Sequence, residues 1–326
     1  MIRTSMKTCV AGIDIGYDCT TMAIVDLRGE TVAIDSFATH DYKQVNEFVA
    51  HLSQSLLCLF EANGGYERIR SMGVSVPGGN LITGSIENSS NLHWSGTVPL
   101  AAMLRDRMGL AVAVTNTAHA RALGEYTYGS ARGITDFILV TLGHCVSSSF
   151  FSKGIVHIGA EGFSGEIGHT CMVDDGRPCT CGHRGCLEAY CGHDGIIATA
   201  RELLDECNDP SLMRDFSELT PQDIKHCCDN GDAMAIETFR RTGSMLGLAL
   251  ANYASVINPE AIVVSGGIAR AGHWITDPME KAFEQHVFRN IQGKVKLLTS
   301  VLTDVERDVL GSSALAWSVK EYSLFK

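Results

Sequence analysis

Four apolar runs in this chain each end in a glycine turn: CVAGIDIG from Cys9, IRSMGVSVPGG from Ile69, DFILVTLG from Asp136 and AIVVSGG from Ala261. Aliphatic runs of this length read as buried strands, and a glycine at the strand end lets backbone approach a neighbour or ligand without a Cβ clash. Helical spacing fills the intervals, over residues 44–62, 99–108, the stretch after Thr117, and residues 196–206, 220–230 and 233–256. Strand, glycine turn and helix in alternation predict an α/β protein, whose ligands gather at the carboxyl ends of its strands.

MAIVDLRGETVAIDSF adds two strands around the turn Arg28-Gly29-Glu30, and LAVAV adds another that ends at Asn116 and Thr117. The 326 residues suffice for two domains, and the strand and turn logic occurs twice. The expected division is a small α/β domain over 1–117 and a large one over 118–310 that carries the loop-rich middle from Gly154 to Gly195. The tail 311–326 has the apolar spacing Leu315, Val319, Leu324 of a helix that packs back on the small domain.

No run approaches the eighteen or so apolar residues of a membrane helix, and MIRTSMKTCV lacks the apolar core of a secretion signal. A cytoplasmic protein with no membrane partner is therefore expected. A formal charge of −11 without a Lys/Arg cluster argues against a nucleic-acid partner. Of the 12 cysteines, nine are scattered without pattern and read as small buried hydrophobes or surface thiols.

The other three follow His169 with the spacing H-x9-C-x-C-x4-C: Cys179, Cys181 and Cys186. Three thiolates and an imidazole, with Gly182 and Gly185 permitting the tight turn, satisfy tetrahedral Zn²⁺ in a closed structural site. Cys171 and His183 lie near but do not improve that set. If zinc holds one nitrogen of His169, the other can face a ligand, with Glu166 and Glu188 close in sequence; carboxylates and a fixed imidazole on a rigid frame suit a polyol. Strand-end glycines at 16, 143, 266 and 267 could approach phosphate or a nucleobase, although a plain turn accounts for each alone.

These motifs together resemble the ROK family (repressor, open reading frame, kinase) of sugar kinases and sugar-responsive regulators. The resemblance runs through GIDIG at 12, SVPGG at 75, SNLHW at 90, NTAHARALGE at 116, GEIGH at 165, CTCGHRGCLE at 179 and NPEAIVVSGG at 258. It implies the two-domain, actin-like ATPase (ribonuclease H-like) fold with an interdomain cleft, and a homodimer. It places sugar contacts on Gly78, Asn91, Asn116, Glu166, His169 and Glu188, for a hexose or N-acetylhexosamine, and the structural zinc on His169, Cys179, Cys181 and Cys186. The nucleotide side would use Gly16, Gly143, Gly266 and Gly267.

The phosphotransfer motifs depart from that pattern. Kinases of the family have an aspartate after the asparagine matched by Asn116, as the base for the sugar hydroxyl; here Thr117 stands there, and a threonine hydroxyl takes no proton near neutral pH. General-base assistance is worth roughly 10² to 10⁴ in rate. The family's D-x-G-G-T becomes DIGYD, with Tyr17 and Asp18, and its glycine-rich second phosphate turn becomes LGHCVSSSFF. If Asp18 faced a triphosphate, two like charges about 4 Å apart would repel by about 4 kcal/mol at a dielectric near 20.

The reading that follows is a sugar-binding protein of hexokinase descent that has lost ATP phosphotransfer and serves as a sensor or regulatory partner, with zinc and without use of ATP and Mg²⁺. Few residues precede the first strand, so regulation is expected through a protein partner and not through direct DNA binding. One alternative is an ATP-dependent hexose or N-acetylhexosamine kinase assisted by Asp14 or His119, the latter read as a helix-surface residue. Another is a repurposed sugar-active enzyme such as a glycosidase, using Asp18, His119 and His144.

Overall fold

The computed structural model describes residues 7–89 and 92–319. They form two compact units, one from the described residues of 1–133, 158–164 and 301–326, the other from 134–157 and 165–300. Where the sequence suggests a division at 117 and 310, these units divide at 133 and 301, with the C-terminal segment in the first unit. The helix after Asn116 stays with the first unit because Gly124 and Gly311 let it pack on the C-terminal helix at backbone contact.

In the first unit, β1 (Cys9–Ile15), β2 (Cys19–Asp26) and β3 (Thr31–Ala38) form an antiparallel meander. Helix α1 (Val45–Ala62) leads to β4 (Ile69–Ser75), which pairs parallel with β1. A small sheet of β5 (Gly79–Asn80), β6 (Ser85–Glu87) and β7 (Thr97–Val98) follows. Helix α2 (Leu100–Met108), strand β8 (Ala111–Thr115), parallel to β4, and helix α3 (Thr117–Thr127) complete the run. The resulting sheet order is β3-β2-β1-β4-β8. Phe48, Leu52, Leu56 and Phe60 recur at helical spacing on α1 and fill the core against Ile13, Met22 and Val74.

The second unit repeats this topology. Strands β9 (Phe137–Leu142), β10 (Val146–Ser152) and β11 (Ile155–Val156) form the meander. Helices α4 (Glu188–Cys191), α5 (His193–Glu206), α6 (Pro221–Asp229) and α7 (Ala233–Ile257) precede β12 (Ala261–Ser265). Helix α8 (His273–His286) and β13 (Lys296–Thr299) follow, giving the order β11-β10-β9-β12-β13. Gly266 after β12 has φ of +95°, and a Cβ there would lie 2.2 Å from the Leu142 carbonyl, so this turn admits only glycine without rearrangement.

Helix α9 (Asp304–Ser318) returns to the first unit and packs on β1, β4 and α3. Its approach is close because β4 carries Gly73, where a Cβ would sit 2.0 Å from the Ser312 carbonyl. The helix begins before the expected Gly311, at the capping box in which Thr303 Oγ1 accepts from Glu306 N and Glu306 accepts from Thr303 N. Residues 320–326 of the expected tail helix lie outside the described residues. No helix among the described residues is long and apolar enough to cross a membrane.

Candidate functional site

The carboxyl ends of β1, β4 and β8 lie side by side, with Asp14 paired to Ser75 and Ser75 to Thr115 in register. This brings Gly16, Gly78, Asn116 and Thr117 to one end of a single sheet. Asn116 caps α3, its Oδ1 accepting from Ala118 N at 2.8 Å. Thr117 is the first residue of that helix, and its Oγ1 is buried with no hydrogen-bond partner. Gly78 lies in the turn into the small sheet, where Glu87 N donates to the Gly78 carbonyl at 2.8 Å. Asn91 lies outside the described residues. Tyr17 and Asp18 are exposed in the β1–β2 turn, with the Tyr17 ring 5.8 Å from that of His93.

His119 corrects its expectation as a surface residue. It is 3 % exposed, with Nε2 3.1 Å from the Ser164 carbonyl. A carbonyl only accepts, so Nε2 is the donor and this nitrogen is committed.

Behind the strand ends lies a charged network that the residue patterns did not reveal. Ser75 Oγ donates to Asp14 Oδ1. Arg121 on α3 reaches Asp308 on α9 through Nε at 2.7 Å and Nη2 at 3.2 Å. Arg307, 4 % exposed at its side chain, lies 3.2 Å from Asp308 and 3.0 Å from Asp304. Burial first, then the charge of Asp308, pushes the Asp14 carboxyl up to about 6, against the pull of Arg121, the Ser75 hydrogen bond and Arg307.

The native protein therefore holds this proton more tightly than the unfolded chain does. The associated stability is present below 3.8, the ordinary value, and is lost as pH rises through about 6. The shift corresponds to at most about 3 kcal/mol. Asp14→Asn is expected to raise the melting temperature at about pH 8, with the gain shrinking as pH falls from about 6 toward 4. Thermal scans across that range check it; a gap that stays constant with pH would refute the assignment.

In the second unit, GEIGH forms a short turn, and His169 meets the three cysteines from the following hairpin. Met172 N donates to Gly185 O at 2.7 Å, Leu187 N to Thr170 O at 3.0 Å and Cys179 N to His183 O at 2.9 Å, so backbone pairing folds the loop on itself. His169 Nδ1 lies 3.7 Å from Cys179 Sγ, and Cys181 Sγ lies 3.7 Å from Cys186 Sγ. All four donor atoms fall within 4.8 Å of one another. A tetrahedral ion with Zn–S of about 2.3 Å requires S···S near about 3.8 Å, so the donor set fits zinc. Cys171 and His183 are not in this set: Cys171 Sγ donates to the Val173 carbonyl at 3.5 Å, and His183 Nδ1 lies 3.6 Å from Cys181 Sγ.

Glu188 is buried, its Oε2 accepting from Val146 N at 3.0 Å and its Oε1 from Thr180 Oγ1 at 3.3 Å. It braces the β9–β10 hairpin. Burial holds the Glu166 carboxyl above its ordinary range, with the Glu188 charge adding and the His169 imidazole opposing. Gly143 and Gly266 follow the adjacent parallel strands β9 and β12, and Gly267 faces open space. The segment expected as an altered phosphate loop is a hairpin: Gly143 N donates to Cys145 O at 3.1 Å, and Ser147, Ser148 and Ser149 lie in β10.

Two five-stranded sheets with the same 3-2-1-4-5 order, each flanked by helices, define the actin-like ATPase class of fold. A profile of the ROK family matches residues 10–319, and the chain belongs to that family. It is 30 % identical over 319 residues to a glucokinase of Halalkalibacterium halodurans, covering 95 % of this chain and 94 % of that one. It is 25 % identical to a xylose repressor of Caldicellulosiruptor bescii, covering 95 % of this chain and 78 % of the repressor. A ROK family glucokinase from Streptomyces griseus, solved in complex with glucose and AMPPNP, superposes with a TM-score of 0.78 at 25 % identity, covering 95 % of this chain and all (100 %) of the other.

Proposed function

We propose that this chain binds a hexose or N-acetylhexosamine through Gly78, Asn91, Asn116, Glu166, His169 and Glu188, and that it reports the sugar to a protein partner without phosphorylating it. The observation that carries the reading is Thr117, whose buried, unpartnered hydroxyl opens helix α3 where a proton acceptor would be needed. The named relatives support sugar recognition, since they include a glucokinase and a xylose repressor. The exposed Asp18 at the β1–β2 turn places a negative charge where the family resemblance calls for a phosphate contact, so Mg²⁺ and ATP have no step in this reading. Zinc on His169, Cys179, Cys181 and Cys186 supplies a closed structural site that fixes the His169 ring. The reading includes a cytoplasmic homodimer.

A kinase remains the second reading, favoured by Asp14, whose elevated value lets it exchange a proton near neutral pH. Incubation of the zinc-loaded protein with MgATP and a mixed pool of hexoses, hexosamines and N-acetylhexosamines separates the two. Mass spectrometry is expected to return every sugar unchanged, while one of them raises the melting temperature. A new phosphosugar would overturn the proposal. Thr117→Asp adds the carboxylate at the first turn of α3; turnover gained by that change alone would show that only the base was missing, and continued inactivity would implicate the two turns.

A further inference from the structure

The β9–β10 hairpin and the start of α5 bring together His144, His193 and Asp194, none of which is assigned to sugar or to the thiolate site, although the cavity that His144 and Asp194 border is shared with Glu188 and Cys179. Each offers one donor atom, and these atoms lie within 4.8 Å of one another. The two imidazole rings are 5.7 Å apart at their centroids, and His193 Nδ1 lies 2.8 Å from Asp194 Oδ1.

Backbone contacts hold the two segments in this relation. His193 N donates to the carbonyls of Gly143 at 3.1 Å and His144 at 3.3 Å. The far end of the hairpin turn is pinned by Val146 N donating to Glu188. His144 and Asp194 line a cavity of about 390 Å³ together with Cys145, Thr180 and Glu188.

We propose that His144, His193 and Asp194 form a second metal site, for a borderline divalent cation such as Zn²⁺, Co²⁺ or Ni²⁺. Two imidazoles select this class over Mg²⁺ and Ca²⁺, which prefer all-oxygen shells, and the single carboxylate offsets part of the ion's charge. Three protein donors leave coordination positions open, the arrangement of an exchangeable site and not of a closed structural one. The inference stands on these three residues and is independent of the sugar reading.

The test counts metal in the full-length protein after equilibration with excess Zn²⁺ and removal of the unbound ion. Elemental analysis is expected to give two equivalents per chain, falling to one in H144A/H193A and to one in Cys179→Ser, each variant losing a different ion. Co²⁺ added to protein with zinc in the thiolate site is expected to bind without the intense near-ultraviolet thiolate charge-transfer band, and at least tenfold more weakly in H144A/H193A. A wild-type stoichiometry of one, a second equivalent that survives H144A/H193A, or a thiolate band from the second ion would overturn the site. If Cys179→Ser retains two equivalents, the thiolate assignment fails and the histidine site is judged by H144A/H193A alone.

Discussion

Serine in place of Cys186 is expected to strip the protein of its thiolate-bound zinc and to lower its melting temperature by roughly 6 °C or more. Structural zinc sites in small peptides are worth about 10–16 kcal/mol of apparent binding energy, much of it used to order the loop that carries the ligands. Here that loop spans the segment between His169 and Glu188 and has few apolar residues of its own. Asp174, Asp175, Cys181, Gly182, His183 and Arg184 are all exposed, while Cys186 and Leu187 are buried at its end and Met172 packs against the core near its start. Without the ion, the loop keeps its backbone pairing but loses the junction that joins the His169 turn to the hairpin.

Even a net loss of about 3–5 kcal/mol would lower Tm by roughly 6–20 °C, at about 2–4 °C per kcal/mol for units of this size. Elemental analysis and differential scanning fluorimetry of Cys186→Ser and of chelator-treated wild type check the prediction together. Unchanged metal content with a melting temperature within about 1 °C of wild type would sink it. Because His169 and Glu188 border the same loop, the variant is also expected to lose the sugar-induced rise in Tm, which ties the zinc site to the proposed ligand.

The cluster was readable because its ligands are close in sequence: a short loop with glycines at the bends admits few folds that leave three thiols and an imidazole apart. Strands β1, β4, β9 and β12 were equally legible, since each is an apolar run buried on both faces. Strand β10 reads in the sequence as the second phosphate turn, and its serines show no apolar alternation that would mark a strand; Ser148 Oγ donates to the Gly165 carbonyl, while Ser149 Oγ is buried without a hydrogen-bond partner. Strand β13 is short and half-exposed at the sheet edge, and α8 carries Pro278 in its interior, so neither gave a clean pattern.

The unit boundary and the charged network had no local signal at all. Arg121 and Asp308 are far apart in the chain, and each alone looks like an exposed helix charge. Only the close passage of α9 over β4, permitted by Gly73, buries them together. His119 was misjudged for the same reason: a polar residue on α3 faces the segment 158–164, which returns to the first unit after the β10–β11 excursion.

That network carries the second large effect. Arg121→Met is expected to destabilise the first unit by about 3 kcal/mol, the lower end of the cost of breaking a buried ion pair, because about a fifth of each partner remains exposed: 20 % for Arg121 and 18 % for Asp308. Methionine keeps the length and apolar stem of the side chain, so the loss reports on charge more than packing. Removing the guanidinium leaves Asp308 with Arg307 alone and takes from Asp14 one of the cations that oppose its elevated value. Asp14 is then expected to hold its proton to still higher pH, so the cost of Arg121→Met grows as pH rises from about 5 to 8.

A double-mutant cycle with Asp308→Asn isolates the pair: coupling of about 1–3 kcal/mol is expected for residues that share one network, whereas additivity within about 0.5 kcal/mol would show the contact to be idle. Urea denaturation at two pH values supplies both readouts. The same cycle bears on function, since Arg121 lies on the helix that Asn116 caps and Thr117 begins. If the pair fixes α3 against α9, Arg121→Met also weakens sugar binding without any contact to the sugar. If sugar affinity is unchanged while stability falls, the network serves the fold alone and α3 is positioned by its backbone packing at Gly124 and Gly311.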